Sequence, residues 1–265
     1  MYSPFRLAVK FFKYLLTAQN GKGHGIHSPF VFDFVTLVIN DKGEYYCYDA
    51  VETLRARLLE NDNSIKIIDL GAGSRKGTQS ERRISDIARN ALKPPKYSRL
   101  LFRIANYFKS HTILELGTSL GITTCYLAHA DHAAEVVTME GVPSIAALAS
   151  SQFEQMGLKN IKLVEGNFDE TLSPTLSELP KLDFVYLDGN HRVEPTMRYF
   201  NTINSSLHKD SVVVFDDIHW SEEMEQAWEK IKTDNRVTLS IDLFFIGIVF
   251  FKPDFKEKQH FTIRF

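Results

Sequence analysis

The sequence predicts an α/β fold in which a doubly wound, mainly parallel sheet follows a mostly helical N-terminal segment. Three observations support this prediction. From residue 111 onward, short apolar runs typical of strands alternate with patterns typical of helices. The first of these runs ends in a glycine-containing turn, and the last two are β-rich runs separated by Gly247. Alternating strands and helices form parallel sheets with right-handed crossovers, whereas the last two runs predict an antiparallel hairpin at the sheet edge.

Composition excludes several classes of protein. The chain has 265 residues, of which 44% are hydrophobic and 24% charged, so a sizeable core is expected and global disorder is not. Its formal net charge of -2 provides no basic field for a nucleic-acid partner. The two cysteines, Cys47 and Cys125, form no C-x-x-C pair, which favours a reducing, cytoplasmic location. No apolar run reaches the ~18 residues of a membrane-spanning helix.

Residues 1–95 are expected to form a helical extension or lid. Apolar residues between Phe5 and Leu16 recur at helical spacing and are interrupted by Lys10 and Lys13. This pattern predicts an amphipathic helix packed on the domain, with a helix on a membrane surface or on a partner as the alternative. In the turn-rich stretch that follows, His24 and His27 have no third ligand nearby, so a loop role is favoured over metal binding.

The sheet domain is expected over residues 96–252, and residues 253–265 are expected to be a C-terminal tail. Pro94-Pro95 separates the extension from this domain. The predicted strands are 112–116, 135–140, 161–165, 182–187 and 211–215, the helices are 122–129, 143–156, 195–207 and 222–232, and the hairpin strands lie within 237–245 and 248–252.

Two glycine-containing turns compete for a ligand at the carboxyl ends of the strands. Residues 69–77 contain the pattern G-x-G-x-x-x-G, whereas residues 115–121 lack the middle glycine. A nucleoside ligand also needs an acidic residue at the end of the next strand, roughly 20 residues on. Glu140 satisfies this requirement for the second turn.

The first turn lacks such an acidic residue. Residues 80–89 after it have a charged, helical pattern, and the next strand carries its acid only at Glu115. The nucleoside site is therefore assigned to the second turn. The first is either a structural turn or part of a substrate or anion site with Arg75, Lys76, Arg82 and Arg83.

Three motifs together resemble a known family. They are Glu115-Leu-Gly-Thr-Ser-Leu-Gly121 followed by Glu140, then Glu165-Gly-Asn-Phe168, then Leu182-Asp-Phe-Val-Tyr-Leu-Asp-Gly189. This series resembles that of class I S-adenosylmethionine-dependent methyltransferases, and is most similar to their small-molecule O-methyltransferase branch. The resemblance covers about residues 96–252. It implies a Rossmann-like sheet of seven strands in the order 3-2-1-4-5-7-6, with the last strand antiparallel, and S-adenosylmethionine as cofactor.

The resemblance also implies residue roles. The glycine turn would border the methionine part of the cofactor, Glu140 would take the ribose hydroxyls, and Asp188 would close the site. The implied cofactor-binding set is Glu115, Gly117, Thr118, Ser119, Gly121, Glu140, Gly141, Asn167, Phe168 and Asp188, with Asn167 and Phe168 near the adenine. Thr118-Ser119-Leu120 stands where many family members have more glycine, and it gives a dinucleotide pyrophosphate poor backbone access.

Candidate catalytic groups follow the fourth and fifth predicted strands. The sequence there is Asp188-Gly-Asn-His191 and Asp216-Asp-Ile-His-Trp220. Carboxylates of Asp188, Asp216 and Asp217 would repel one another unless a cation or protons offset their charge, and oxygen ligands favour Mg²⁺, Mn²⁺ or Ca²⁺. This arrangement resembles the metal site of catechol-type O-methyltransferases, in which an Asn occupies the place of Asp217. Alternatively, Asp216 and Asp217 cap the following helix or bind backbone.

His191 is the first candidate for the group that accepts a proton from the substrate hydroxyl, with a positioning role as the alternative. His219 is a weaker second candidate. Four aromatic residues are either part of a pocket for a planar substrate or part of the core: Tyr186, Tyr199, Trp220 and Trp228.

The resulting functional hypothesis is methyl transfer to a hydroxyl of a small molecule, with divalent-metal assistance. One alternative is a metal-independent O- or N-methyltransferase that uses His191 as base. Another is a non-catalytic cofactor-binding or scaffold protein, with residues 1–95 as a partner-binding module. A nucleic-acid substrate is disfavoured because Asp188-Gly-Asn-His191 replaces the Pro-Pro-aromatic motif of DNA amino-methyltransferases. A homo-oligomer is compatible with the sequence.

Overall fold

The computed structural model describes residues 1–23, 25–68 and 79–265. These residues form two compact units. One unit comprises Gly43–Leu179, and the other comprises Met1–Lys42 together with Pro180–Phe265. The first glycine turn, with Arg75 and Lys76, lies outside the described residues, as does His24.

The Gly43–Leu179 unit contains the first three strands of the predicted sheet. Strand β3 (Thr112–Leu116) pairs in parallel with β4 (Glu135–Glu140), and β4 pairs in parallel with β5 (Ile161–Glu165). All five residues of β3 are buried. The helices that follow these strands are α6 (Ile122–Ala130), α7 (Pro143–Gln155) and α8 (Phe168–Glu178). Every strand predicted for this part of the chain is present.

The same unit begins with helices and a hairpin. Helix α3 is Tyr48–Leu59, α4 is Ile84–Ala91 and α5 is Pro95–Tyr107, while β1 (Ser64–Ile68) pairs antiparallel with β2 (Gln79–Arg83). The helical interpretation of residues 80–89 was therefore wrong before Ile84 and correct from Ile84 onward. Glu81, Arg82 and Arg83 are all exposed, so β2 lacks the apolar alternation by which a half-buried strand is detected in sequence.

The second unit contains the remaining strands. Strand β6 (Leu182–Leu187) is parallel to β7 (Leu207–Asp216), β9 (Ile246–Phe250) is antiparallel to β7, and β8 (Leu239–Asp242) is antiparallel to β9. The pairing β6-β7-β9-β8 is what the implied order 4-5-7-6 requires. A further strand, β10 (Gln259–Thr262), lies parallel to β8 inside the stretch predicted to be a tail.

The sequence suggested that Gly247 lies in the hairpin turn. In the structure it lies within β9 instead. The turn between β8 and β9 contains Phe244, whose φ is 71°. A Cβ at Gly247 would lie 2.7 Å from the Trp228 ring and 3.0 Å from Ile218. Close packing under the sheet therefore explains this glycine.

The described residues of this unit also form four helices. They are α1 (Pro4–Thr17), α2 (Pro29–Phe34) with a π-helical turn at Val35–Ile39, α9 (Val193–Ile203) with a 3-10 turn at Asn204–Ser206, and α10 (Glu222–Thr233). The inner face of α1 carries Tyr14 and Ala18, which form a small apolar cluster with Phe244. Within the described ranges, no helix has the length and apolar character needed to cross a membrane.

Candidate functional site

The turn between β3 and α6 is held in a tight, partly left-handed conformation. Gly117, Ser119 and Gly121 have φ values of 106°, 49° and 80°. The backbone N–H groups of Gly117 and Thr118 donate to the carbonyl of Met139 at 3.0 and 3.1 Å, which ties the turn to β4. The turn therefore presents backbone at the carboxyl end of a parallel strand, where open α/β sheets bind their ligands.

Glu140 lies at the end of β4 and contacts this turn. Its carboxylate accepts the backbone N–H of Ser119 at 2.9 Å and that of Val142 at 2.9 Å. Burial raises the pKa of Glu140 above its usual value, although the backbone N–H groups oppose this shift. The structure thus brings together the glycine turn and the acid that the sequence assigned to one nucleoside site.

Glu115 is buried beneath the turn. None of its surface is exposed, and its carboxylate accepts hydrogen bonds from the hydroxyls of Thr124 and Thr138. The Thr138 hydroxyl also lies 2.6 Å from that of Thr118 in the turn. Since Thr138 donates to Glu115, Thr118 is the donor in the threonine pair. This network, which sequence reasoning missed because isolated threonines give no motif, connects β3, β4, α6 and the turn.

The loop after β5 adjoins the loop after β4. The N–H of Gly166 donates to the Glu140 carbonyl at 2.9 Å, and a Cβ at Gly141 would lie 3.8 Å from the Gly166 carbonyl oxygen. Asn167 caps α8, accepting the N–H of Asp169 at 3.1 Å, and is exposed. Phe168 is half-buried beside it. The predicted cofactor residues of this unit therefore come from adjacent loops, although their contact with a cofactor stays a prediction.

In the second unit, Asp188 and His191 lie close together after β6. The Nε2 of His191 is 3.5 Å from Oδ1 of Asp188, and the Tyr186 hydroxyl donates to Oδ2 of Asp188 at 3.1 Å. Asn190 between them has a left-handed φ of 64°, and its Nδ2 donates to the Tyr199 hydroxyl at 2.8 Å. The side chains of His191 and Asp188 are partly exposed to solvent, by 36% and 24% of their surface.

Asp216 and Asp217 follow β7. Asp216 is 1% exposed, and Asp217 has a left-handed φ of 53° with its carbonyl accepting the N–H of Trp220. Neither caps α10, because that role belongs to Ser221, whose hydroxyl accepts the N–H of Met224 at 3.1 Å. The capping alternative is therefore wrong.

The residues described do not fit the predicted divalent metal. Among them, no group of three or more His, Cys, Asp or Glu side chains is arranged to hold an ion, and this includes Asp188, Asp216 and Asp217. A hard cation needs several oxygen ligands converging at 2.0 to 2.6 Å or so. We therefore derive no chemical step through a metal.

His219, the second candidate base, belongs to a partly buried ionic cluster. Its Nδ1 lies 3.0 Å from Oε1 of Glu225 and its Nε2 lies 2.8 Å from Oδ2 of Asp242, which also accepts the Trp228 N–H at 3.0 Å. Burial alone would lower the pKa of His219, but the hydrogen bonds and charges of Asp242 and Glu225 outweigh it, and the pKa is raised. Lys10 of α1 contacts Glu225 at 2.9 Å. The cluster therefore joins α1 to α10 and β8.

The predicted aromatic pocket is mostly core. Tyr186, Tyr199 and Trp228 are 0%, 2% and 1% exposed, whereas Trp220 is half-buried. Three of these four rings are thus part of the core, which was the alternative that the sequence left open.

The sequence and fold of this chain both match known proteins. Residues 114–218 match the model of a family described as a methyltransferase domain, a range that contains the glycine turn, Glu140 and Asp188. The uncharacterized protein R132 of Acanthamoeba polyphaga mimivirus is 33% identical over 72 residues, which are 26% of this chain and 33% of that relative. The match therefore spans about a third of the curated relative.

Solved structures of low sequence identity share the fold. The O-methyltransferase from Bacillus cereus in complex with SAH matches with a TM-score of 0.56 at 17% identity, covering 83% of this chain and 96% of that one. SAH-bound Podospora anserina methyltransferase PaMTH1 matches with a TM-score of 0.55 at 16% identity, covering 80% and 99%. O-methyltransferase TomG from Streptomyces achromogenes, involved in tomaymycin synthesis and in complex with SAM, matches with a TM-score of 0.55 at 18% identity, covering 84% and 95%.

The chain therefore has the Rossmann-like α/β fold of class I methyltransferases. Residues 114–218 match the model of a methyltransferase domain, in agreement with the resemblance drawn from the motifs.

Proposed function

We propose that this protein is an S-adenosylmethionine-dependent O-methyltransferase whose acceptor is a small-molecule hydroxyl. The observation that carries the proposal is the carboxylate of Glu140, held against the glycine turn by the N–H of Ser119 at 2.9 Å. The structures of the Bacillus cereus enzyme and PaMTH1 with SAH, and of TomG with SAM, support this cofactor.

Glu140 has the chemistry to hold the cofactor's ribose. An ionised carboxylate has about four lone-pair sites, and the two backbone N–H groups from Ser119 and Val142 occupy two of them. The N–H of Gly141 also contributes to this carboxylate, and a ribose hydroxyl can bind at a site that these groups leave open. The backbone from Gly117 to Gly121 would border the methionine part, Gly141 would lie beside the ribose, and Asn167 and Phe168 would lie near the adenine.

Methyl transfer leaves two tasks to the chain. The sulfonium of the cofactor supplies the electrophile, so the protein has to orient the acceptor and remove its proton. Nε2 of His191 lies 3.5 Å from Asp188, so a proton on Nε2 would face the carboxylate and Nδ1 would be left to accept the proton of the substrate. Asp188 would then stabilise the imidazolium that forms.

We favour a metal-independent reaction, since the described carboxylates form no metal-holding group. Small-molecule acceptors are favoured over nucleic acid because the chain has a net charge of -2. We retain a cytoplasmic location, from the cysteine usage, and a homo-oligomer as further proposals.

Calorimetric titration with S-adenosylmethionine tests the proposal. We expect binding by the full chain, and a loss of at least about tenfold in affinity for Glu140→Ala, since a hydrogen-bonding residue to the ribose is removed. Glu135→Ala is the matched control because Glu135 begins the same strand and is exposed. No binding by the unmodified chain, or equal affinity of the two variants, would contradict the proposal.

A further inference from the structure

Helix α1 carries an apolar stripe on its outer face. The stripe consists of Phe5, Val9, Phe12 and Leu16, which are 80%, 53%, 62% and 68% exposed. Spacings of four, three and four residues place them on one side of an α-helix. Met1, 86% exposed, precedes the helix. Isolated exposed apolar residues are common, but a row of large ones along one helix marks an interaction surface.

The opposite face of α1 is already occupied. The Phe11 ring lies 5.0 Å from that of Phe244, and the buried Tyr14 hydroxyl donates to the carbonyl of Ile263. Lys10 binds Glu225 at 2.9 Å. The helix cannot rotate to bury the outer stripe without breaking these contacts. The stripe therefore stays available to another surface.

The charge on α1 indicates which surface fits. The helix contains Arg6, Lys10 and Lys13 and no acidic residue. Lys10 is paired with Glu225, whereas Arg6 and Lys13 form no ion pair with any described residue. Two copies of α1 packed antiparallel by their stripes would bring these cations to the same side of the pair and repel. An anionic lipid surface instead offers acyl chains to the stripe and negative headgroups to the cations.

We propose that α1 docks this protein on anionic lipid membranes, with the stripe inserted at the boundary between headgroups and acyl chains. An interfacial helix of this kind buries its apolar face about 5–10 Å deep. Glu222 and Glu223 share a surface cavity with Met1 and Arg6, and they oppose binding at that end. The segment of Phe12, Lys13 and Leu16 therefore inserts more deeply into the lipid than the N-terminal end of α1. Attachment to the membrane is reversible.

Flotation of the unmodified 265-residue chain with lipid vesicles tests this docking. We expect binding to vesicles of phosphatidylserine and phosphatidylcholine, weak binding to phosphatidylcholine alone, and weaker binding as salt is raised. Leu16→Ser should lower the partition coefficient about tenfold, because a leucine leaves the apolar phase. Leu37→Ser is the matched control, since Leu37 is 57% exposed but lies outside α1. Both variants should keep the melting temperature of the parent.

Three results would overturn the proposal. The first is absence of flotation with anionic vesicles. The second is equal loss for Leu16→Ser and Leu37→Ser, which would indicate general adhesion of exposed apolar residues. The third is a dimer in light scattering that Leu16→Ser converts to a monomer without vesicle binding by either form, which would assign the stripe to a second copy of the chain.

Discussion

Glu140 and Glu115 are acids of one turn region with different surroundings. Glu140 is half-buried, and among the described residues its carboxylate accepts hydrogen bonds from backbone N–H groups. Under the proposed function, it would also accept hydroxyls of the ligand. Glu115 has no exposed surface and is bound by two threonine hydroxyls. The pattern of the sequence placed both near the cofactor. It could not distinguish the surroundings of the two acids, because these depend on the hydroxyls of Thr124 and Thr138, which form no local sequence motif.

A second residue-scale prediction concerns His191. Replacing it with Gln should lower kcat by about 10²–10⁴-fold while leaving S-adenosylmethionine affinity within about twofold, because a general base acts on the acceptor and not on the cofactor. Steady-state kinetics over a range of pH, with an acceptor found by screening hydroxyl compounds, provides the measurement.

His208→Gln is the control for this substitution. His208 is also paired with a carboxylate, at 2.9 Å from Asp183, and its side chain is 30% exposed. If both variants retain the parent kcat and pH profile, His191 is not the base.

At the scale of elements, the turn before α6 depends on Gly121. A Cβ there would lie 2.6 Å from the ring of Phe153, and the residue has a φ of 80°. We expect Gly121→Ala to lose about 1–2 kcal/mol for the left-handed backbone and about 1–3 kcal/mol more for overpacking against Phe153. Urea denaturation measures the sum.

Gly157→Ala separates the two contributions. Gly157 has a φ of 68° with no atom within 4 Å of the Cβ position, so only the backbone cost applies. Equal losses for the two variants would show that the contact with Phe153 is relaxed at no cost. A smaller loss for Gly121→Ala in a Phe153→Leu background would confirm the clash.

Sequence reasoning found the strands that have an apolar run and missed two strands that lack one. Strand β3 is buried along its whole length, and its apolar run was recognised with correct bounds. Strand β2 has exposed charged residues, so its pattern imitated a helix. Strand β10 was missed because it is short and alternates between half-buried and exposed residues at the edge of β8. Gly247 was misread as a turn since a packing contact with Trp228 is not visible in sequence.

At the scale of the whole molecule, the ionic cluster around His219 gives stability a pH dependence. The raised pKa of His219 means that its contribution is complete below the ordinary value of about 6.5 and is lost as pH rises through the folded value. Burial would raise the pKa of Glu225 and Asp242, but their hydrogen bonds, including those from Lys10 and His219 respectively, outweigh it and lower both values. Their contribution is lost as pH falls through the acid range.

We therefore expect His219→Gln to lower the melting temperature most at pH values at which the histidine is charged. The difference from the parent should shrink as pH rises, because the parent loses its charged histidine there. Calorimetric melting across neutral to alkaline pH measures it, with His208→Gln for comparison. A difference that stays constant with pH would show that the His219 contacts act as neutral hydrogen bonds.

The packing contacts of α1 have a consequence for the order in which the chain folds. The helix emerges early during synthesis, but its partners Glu225, Phe244 and Ile263 are translated more than 200 residues later. These three contacts of α1 therefore cannot form while residues 43–179 are being translated. Contacts this distant along the chain slow folding. On the ribosome, the complete set of these contacts can form only after Ile263 has been translated.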